Sequence, residues 1–256
     1  ALATPPVLVL KITFSGTGTL SCLPTISDMK NSLVTSLVLP YNLQSMKINA
    51  FGGCTKLVTV TVKAVTATPD FEARAFANTT TSASTTPTYY VTTLNLSKDV
   101  AEFDITSVFG ATKLATVNVE EGNTSYATLD GVLYNSDITR VVYYPTEREG
   151  NYNLPESIVE IGARVFQGKT GIESIVIGKN VTTIGEGAFQ ACTKLESVTF
   201  AAGGTEDLTI GAMAFYGCKL LTTIEFPDRL ISIGDAAFKT DSGLVEVELP
   251  QSLQTL

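Results

Sequence analysis

The chain has 256 residues, of which 44% are apolar and only 16% are charged, and its formal net charge is −8. Because contacts to phosphate need a basic surface, this acidic balance excludes a nucleic-acid-binding protein. The sequence contains no histidine, which excludes Ser-His-Asp triads, Cys-His dyads and zinc sites with imidazole ligands. No apolar run is long enough to span a membrane.

The N-terminal residues 1–32 are irregular and predict a capping coil. They contain a degenerate strand pattern at Val9, Ile12 and Phe14, followed by scattered apolar residues such as Leu20. The terminal coils of a stacked array must cover its apolar core, and this segment can do so. We therefore place the repeat array at residues 33–256.

An internal repeat organises residues 33–256. Its strand part is an apolar-x-x-apolar-x-apolar pattern, and its clearest copies continue with Ile-Gly, Ala-Phe and Cys, as in IESIVIGKNVTTIGEGAFQAC from Ile172 onward. Where no insertion intervenes, the copies are 23 residues apart, as from Ile172 to Leu195. Such a period is typical of a solenoid, in which each copy forms one coil.

Residues within each strand should alternate between the core and the solvent. Ile175 and Ile177 are predicted to point inward, and Ser174 and Val176 outward. One strand cannot bury its apolar face alone, so the copies should stack into a parallel sheet. About ten strands are predicted, with inward residues at Val9/Ile12/Phe14, Val34/Leu37/Leu39, Leu57/Val60/Val62, Val91/Leu94/Leu96, Leu114/Val117/Val119, Tyr152/Leu154, Ile172/Ile175/Ile177, Leu195/Val198/Phe200, Leu221/Ile224/Phe226 and Leu244/Val247/Leu249.

Two further positions recur once per coil. The Ile-Gly step, such as Ile184 followed by Gly185, places a flexible residue where the coil must turn. The phenylalanine of the Ala-Phe pair predicts a stacked aromatic spine. Its members are Phe51, Phe76, Phe109, Phe166, Phe189, Phe215 and Phe238.

Three of the four cysteines occupy a repeat position. Cys54, Cys192 and Cys218 each follow a spine phenylalanine by three residues, and Lys169 and Asp241 hold the same position in other coils. We interpret this position as a small buried slot. A disulfide between Cys192 and Cys218 on adjacent coils stays open. A four-cysteine metal site is excluded, because the sequence has no C-x-x-C pair.

Two insertions interrupt the array. Residues 77–90 are Ser/Thr-rich and predict a loop, and residues 120–148 predict a hairpin with strands at 132–135 and 139–144. Tyrosines at the hairpin could stack on sugars or anchor a protein partner. They could instead cover the edge where the array is interrupted, which is the interpretation we favour. These tyrosines include Tyr134, Tyr143 and Tyr144.

The outward positions of the predicted sheet form columns of mostly uncharged polar residues. Rigid columns of this kind are the natural binding surface of a solenoid. The candidate binding residues on these columns are Asn95, Thr116, Asn118, Asn151, Asn153 and Ser174.

Toward the C-terminus the columns become acidic. Glu225 and Glu248 are predicted one strand apart, at about 4.8 Å, a separation that would suit the carboxyl pair of a retaining glycosidase or a bound cation. A flat sheet offers no cleft that excludes water, so we favour a solvated stripe that prevents aggregation between sheets. This acidic patch comprises Glu173, Glu196, Glu225, Glu246 and Glu248.

The segments NVTTIGEGAFQACTKLESVTF and GVLYNSDITRVVYYP closely resemble the BspA-like leucine-rich repeat family of bacterial surface proteins. The resemblance implies a mainly β solenoid, a leucine-rich repeat right-handed superhelix of about ten coils with a parallel sheet. It also implies an extracellular or outer-surface location in a host-associated bacterium, with a role in adhesion rather than catalysis. The family shares a scaffold motif and no binding motif, so no ligand residues are carried over.

The leading hypothesis is a non-enzymatic, secreted or cell-surface module that binds a protein or a glycan through its sheet face and hairpin. It has no catalytic residues, metal or cofactor, and a lipid anchor could lie upstream. The final residues match the opening of another coil, so either the protein ends in half a coil, which we favour, or more repeats follow and the segment is a structural spacer. A carbohydrate-active enzyme using Glu225 and Glu248 is the remote alternative.

Overall fold

The computed structural model describes residues 34–39, 45–46, 51, 54–63, 70–71, 76–78, 88–101, 105, 114–146 and 148–256. The chain divides into two compact units, Ala1–Ser125 and Tyr126–Leu256. The predicted capping coil of residues 1–32, Cys22 and Phe109 lie outside the described residues. Among the described residues, no helix has the length and apolar character needed to cross a membrane.

The first unit is built on a four-stranded parallel sheet of order β1-β3-β7-β8. Its inward column joins Leu37, Val60, Leu94 and Val117 in register, and all four side chains are buried. Two short pairs accompany it, β2 with β4 and β5 with β6. The strands are β1 (Ser36–Leu39), β2 (Ser45–Met46), β3 (Thr59–Val62), β4 (Asp70–Phe71), β5 (Ala77–Asn78), β6 (Thr88–Tyr89), β7 (Thr93–Leu96) and β8 (Thr116–Val119).

The second unit contains two sheets. A four-stranded parallel sheet has the order β12-β14-β16-β18, and a seven-stranded sheet has the order β19-β17-β15-β13-β11-β10-β9. The strands are β9 (Tyr126–Leu129), β10 (Val132–Asn135), β11 (Arg140–Tyr143), β12 (Gly150–Asn153), β13 (Glu160–Ile161), β14 (Ile172–Ile177), β15 (Thr183–Ile184), β16 (Ser197–Phe200), β17 (Leu208–Ile210), β18 (Thr223–Ile224) and β19 (Leu230–Ile233).

The seven-stranded sheet departs from the sequence prediction of a single sheet with a turn at each Ile-Gly step. Ile184 pairs in parallel with Ile161 on one side and Ile210 on the other, and all three are buried in the same core as Ile175 and Val198 of the other sheet. Each coil thus contributes a strand to both sheets. These second strands have only two to four residues, too few to display the period-two alternation that reveals a strand.

The glycine after each of these isoleucines is required by close packing. A Cβ on Gly185 would lie 2.7 Å from the backbone nitrogen of Ala163, and one on Gly211 would lie 2.8 Å from that of Glu186. Neither glycine has a positive φ. The prediction of a flexible residue at this position was therefore wrong, because the glycine is needed to let the backbone of the preceding coil approach.

The aromatic spine is present where the structure describes it. In the second unit Phe166, Phe189, Phe215 and Phe238 stack in sequence, with ring centroids 4.7, 5.0 and 5.2 Å apart. In the first unit Phe51 and Phe76 stack at 5.3 Å. Offset-stacked rings at this distance add stability beyond the area they bury.

Two predicted segments differ from expectation. The last triplet, Leu244/Val247/Leu249, forms no strand, and Val247 and Leu249 are 38% and 48% exposed. Its neighbour β18 has only two residues, which is too short a strand for the last triplet to pair with. The insertion at residues 77–90 is a loop only in part, since its ends pair as the antiparallel strands β5 and β6.

Candidate functional site

The exposed face of the first sheet carries a hydrogen-bonded ladder of polar side chains. Asn118 Nδ2 donates to Asn95 Oδ1 at 2.9 Å, and Asn95 Nδ2 donates to Thr61 Oγ1 at 3.2 Å. In-register parallel strands place like residues one strand spacing apart, which lets amides bond in series. We call Thr61, Asn95 and Asn118 the asparagine ladder. Thr116, also predicted on this face, is exposed beside it on β8.

The other three candidate polar residues belong to the second unit. Asn151 and Asn153 are exposed on β12, and Ser174 Oγ on β14 donates to Asn151 Oδ1 at 2.8 Å. Along this column Ser174 is followed in register by Ser197 and Thr223. The six candidate residues therefore form two groups of three, one on each unit.

The hairpin tyrosines do not form a binding surface. Tyr134, Tyr143 and Tyr144 are 1%, 2% and 1% exposed, so a ligand on the surface cannot contact their rings. Tyr134 is hydrogen-bonded to Tyr152 through their hydroxyl groups, and the Tyr144 ring lies 4.8 Å from the Phe166 ring at the start of the spine. Burial raises the pKa of Tyr143 and Tyr144 to about 12.

The proposed tyrosine contacts with sugar or protein were therefore wrong for Tyr134, Tyr143 and Tyr144. The hairpin strands β10 and β11 belong to the seven-stranded sheet, and Tyr134 and Tyr144 pack in its core. Tyr143 is instead buried against Thr146 and Lys169. The covering interpretation agrees with this burial. The guanidinium of Arg148 lies over the Tyr152 ring at 5.2 Å, a cation–π contact that no motif in the sequence predicts.

A buried lysine lies next to this cluster. Lys169 is 2% exposed, with its Nζ 2.9 Å from Thr146 Oγ1 and 4.6 Å from the centroid of the Tyr143 ring. Burial lowers its pKa to about 8. The position that follows each spine phenylalanine by three residues therefore also accepts a long charged side chain, which the small-slot interpretation missed.

The cysteines in that position are free thiols. Cys192 Sγ lies 3.0 Å from the carbonyl oxygen of Phe166, and Cys218 Sγ lies 3.1 Å from that of Phe189. Cys54, Cys192 and Cys218 are all buried and unbridged. Burial raises the pKa of both Cys192 and Cys218, so neither is a ready thiolate.

Asp241 holds the same position one coil later. It is 8% exposed, and its Oδ1 accepts a hydrogen bond of 2.8 Å from the backbone nitrogen of Cys218. Its other oxygen, Oδ2, is buried without a hydrogen-bond partner in this fully described stretch. Burial raises the pKa of Asp241 to about 6.

The acidic patch is exposed and partly lines a groove. Glu173 and Glu196 lie on neighbouring coils, where Glu196 donates its backbone N–H to the Glu173 carbonyl oxygen at 2.8 Å. Glu225 lies on one wall of an open groove of about 510 Å³, and Glu246 and Glu248 line it as well. Within the described residues, no three His, Cys, Asp or Glu side chains are grouped so as to hold a metal ion.

The paired-strand geometry expected for Glu225 and Glu248 was wrong. The register between neighbouring coils ends at Thr223 and Ile224, and Glu248 lies in a segment without strand structure. The two carboxylates line an open groove rather than adjacent strands of a sheet. The strand pairing from which their separation of about 4.8 Å was predicted is therefore absent.

Coils of this length, with one strand in a parallel sheet and a stacked phenylalanine, define a leucine-rich-repeat solenoid. The family described as "BspA type Leucine rich repeat region" matches residues 28–149 and 136–256 in six copies, and the chain belongs to this family. The match has six copies where about ten coils were predicted, and eight of the predicted strands form in the described residues, four in each parallel sheet. The strands β1, β3, β7 and β8 have the strand triplet but lack the Ile-Gly step that completes the motif.

Two solved structures show the same fold. The crystal structure of the pneumococcal vaccine antigen PcpA is 28% identical with a TM-score of 0.60, over 78% of this chain and 47% of that chain. A leucine rich cell surface protein from Faecalibacterium prausnitzii A2-165 is 22% identical with a TM-score of 0.52, over 82% of this chain and 58% of that chain. The chain thus spans about half the length of PcpA. No curated protein matches the sequence.

Proposed function

We propose that this chain is a non-enzymatic binding module of a bacterial surface protein and that it recognises a protein or a glycan through its exposed sheet faces. The family membership and the similarity to a pneumococcal vaccine antigen and a leucine rich cell surface protein support a surface leucine-rich-repeat module. They support an extracellular or outer-surface location as well. We further propose that the module binds a ligand, that this binding serves adhesion, and that the bacterium is associated with a host.

The asparagine ladder is the observation that carries the binding proposal. Its amides are held on in-register strands by side-chain hydrogen bonds, with Asn118 exposed at the outer strand. Groups fixed on strands bind with a smaller loss of conformational entropy than groups on loops. An array of amide donors and acceptors at regular spacing suits the hydroxyl groups of a glycan or the backbone of a protein.

Glycan and protein arrays probed with the labelled chain test this proposal. Asn118→Ala and Thr116→Ala alter the face of the first unit, while Asn151→Ala and Asn153→Ala alter that of the second. We expect one of these pairs to weaken an interaction roughly tenfold, since each lost hydrogen bond is worth about 0.5–1.5 kcal/mol. Lys56→Ala and Lys194→Ala, both exposed outside these columns, are the matched controls. An interaction that neither pair of substitutions weakens would contradict the assignment of the binding site to these two sheet faces.

A structural spacer is the second candidate. It is supported by the share of PcpA that the chain spans, 47%, which leaves room for other segments in a relative of this kind. A spacer would bind nothing on the arrays, and its surface substitutions would change only solubility. Loss of a ligand in the Asn118→Ala variant, with the ligand retained in the Lys56→Ala variant, would favour the binding module over the spacer.

A further inference from the structure

The four-stranded sheet of the second unit ends in an open edge. The strand β18 pairs with β16 on one side and has no strand on the other. The next copy of the repeat supplies residues 245–249 there, yet no backbone hydrogen bond joins them to residues 222–226, although this stretch is described completely. The free backbone groups along such an edge can accept an added strand.

A groove follows this edge. Residues 222–226 form one wall, and Glu246 and Glu248 belong to the other. Its volume of about 510 Å³ lies within the range of about 300–1,000 Å³ of ligand sites. Five extended residues span about 16 Å, so the wall matches a short peptide strand.

The side chains around the groove indicate the chemistry of its occupant. Glu225, Glu246 and Glu248 supply three exposed carboxylates, which favour Lys or Arg. An apolar contact is available as well, because the half-buried Phe226 lines the groove. Since side chains of a strand alternate between faces, basic and apolar residues would have to alternate in the peptide.

We propose that this groove binds an extended peptide with alternating basic and apolar residues, which adds as a strand to the open edge of β18. The open backbone edge supplies the hydrogen bonds, and the carboxylates select for positive charge. The proposal specifies a partner for the binding module and rests on the proposed function. It uses a surface separate from the asparagine ladder.

Fluorescence anisotropy with labelled synthetic peptides tests the proposal on the full chain. The probe is KVKTKVKT, compared with EVETEVET and with KVKTKVKT N-methylated at alternate backbone nitrogens. We expect only the unmethylated basic peptide to bind, with an affinity that falls as salt rises. Equal binding of the acidic or the N-methylated peptide would overturn the proposal, because neither charge nor strand pairing would then be used.

Matched charge variants locate the site. E225Q/E246Q/E248Q should weaken binding roughly tenfold, since exposed charge pairs are worth about 0.2–1 kcal/mol each. E160Q/E173Q/E196Q removes as many exposed carboxylates outside the groove and should change the Kd less than twofold. Equal losses of peptide affinity in both variants would overturn the proposal. Self-association of the chain through this groove, measured by sedimentation, would overturn it as well.

The two proposals can fail separately. Asn118→Ala should leave binding of the basic peptide unchanged, because the ladder belongs to the other unit. An array ligand lost on Asn118→Ala together with no peptide binding would refute the groove alone. Peptide binding with no array ligand on either sheet face would refute the sheet-face site alone.

Discussion

The Nη1 atom of Arg229 lies 2.6 Å from the carbonyl oxygen of Val181, 48 residues earlier in the chain. The same atom donates to the carbonyl oxygen of Glu206 at 3.1 Å. Arg229 is only 8% exposed, and a Cβ on Gly204 would lie 2.5 Å from its Nε. One guanidinium thus bonds to the carbonyl groups of two earlier coils, over a glycine that leaves room for it.

Arg229→Met should therefore destabilise the second unit. It removes a charged donor from two carbonyl oxygens, and we expect the free energy of unfolding to fall by about 2–3 kcal/mol. Urea denaturation followed by circular dichroism measures the change. Arg164→Met is the matched control, because Arg164 pairs with Glu186 at 2.5 Å but both side chains are more than half exposed. That control should shift the free energy by less than about 0.5 kcal/mol, and an equal loss in both variants would refute the role of Arg229.

Each complete coil places a residue with positive φ two positions after its spine phenylalanine. It is Gly168, Ala191, Gly217 or Thr240, with φ between 60° and 79°. An L side chain in this conformation costs about 1–2 kcal/mol. Gly217→Ala should therefore lower the free energy of unfolding by about 1 kcal/mol, although no atom lies closer than 3.8 Å to the added Cβ.

The opposite substitution provides the check. Ala191→Gly relieves the same strain and should leave stability equal or raise it by up to about 0.5 kcal/mol after the entropy cost of glycine. Ala163→Gly, at a position without positive φ, should lower it by about 0.5–1 kcal/mol. Thermal denaturation of the three variants measures these differences. Loss of stability in Ala191→Gly as large as in Ala163→Gly would contradict the strain.

Asp241 should make the fold less stable as the pH rises. Because burial raises its pKa from the usual 3.8 to about 6, the folded state holds this proton more tightly than the unfolded state. Its stabilising contribution is present below about pH 4 and is lost as the pH rises toward 6. Asp241→Asn keeps an oxygen for the Cys218 N–H and should stabilise the protein by about 1–2 kcal/mol at pH 7.5, with little effect at pH 4. Urea denaturation at both pH values measures it, and an equal effect at both would exclude titration of Asp241 as the cause.

Lys169 should act in the opposite direction at alkaline pH. Burial lowers its pKa to about 8, so the unfolded state binds this proton more tightly between pH 8 and the usual 10.5. The contribution of Lys169 to the free energy of unfolding should therefore rise across that window. Lys169→Met removes the charge, and the difference between wild type and variant, measured at pH 7 and pH 9.5, isolates it. A difference that does not change with pH would show that Lys169 does not titrate in this range.

The sequence predicts the parts of the fold that recur with a clear period. The inward residues of β14 and β16 and the stack from Phe166 to Phe238 follow directly from the repeat. The second sheet is not predictable in this way, because Thr183 and Ile184 form a strand too short to show alternation.

The candidate site is harder to predict because it depends on burial. The sequence allows two roles for Tyr143 and Tyr144, contact with a ligand and covering of the interrupted edge, and only their burial in the folded hairpin decides between the two. Lys169 has a charged side chain in a buried position, which a repeat pattern alone cannot anticipate. The groove beside β18 exists because the strand predicted at Leu244/Val247/Leu249 does not form. The repeat pattern predicts that this strand is present, so it cannot predict the groove.

The stack of Phe166, Phe189, Phe215 and Phe238 has a mechanical consequence. Each ring stacks on the ring of the adjacent coil, so the stack couples each coil to its direct neighbours, and Arg229 adds a bond that reaches one coil further. A pulling force on the C-terminal end would load one coil at a time. Stretching in an optical trap should therefore lengthen this unit in a series of small steps, and it would dissipate the force gradually instead of giving way at once.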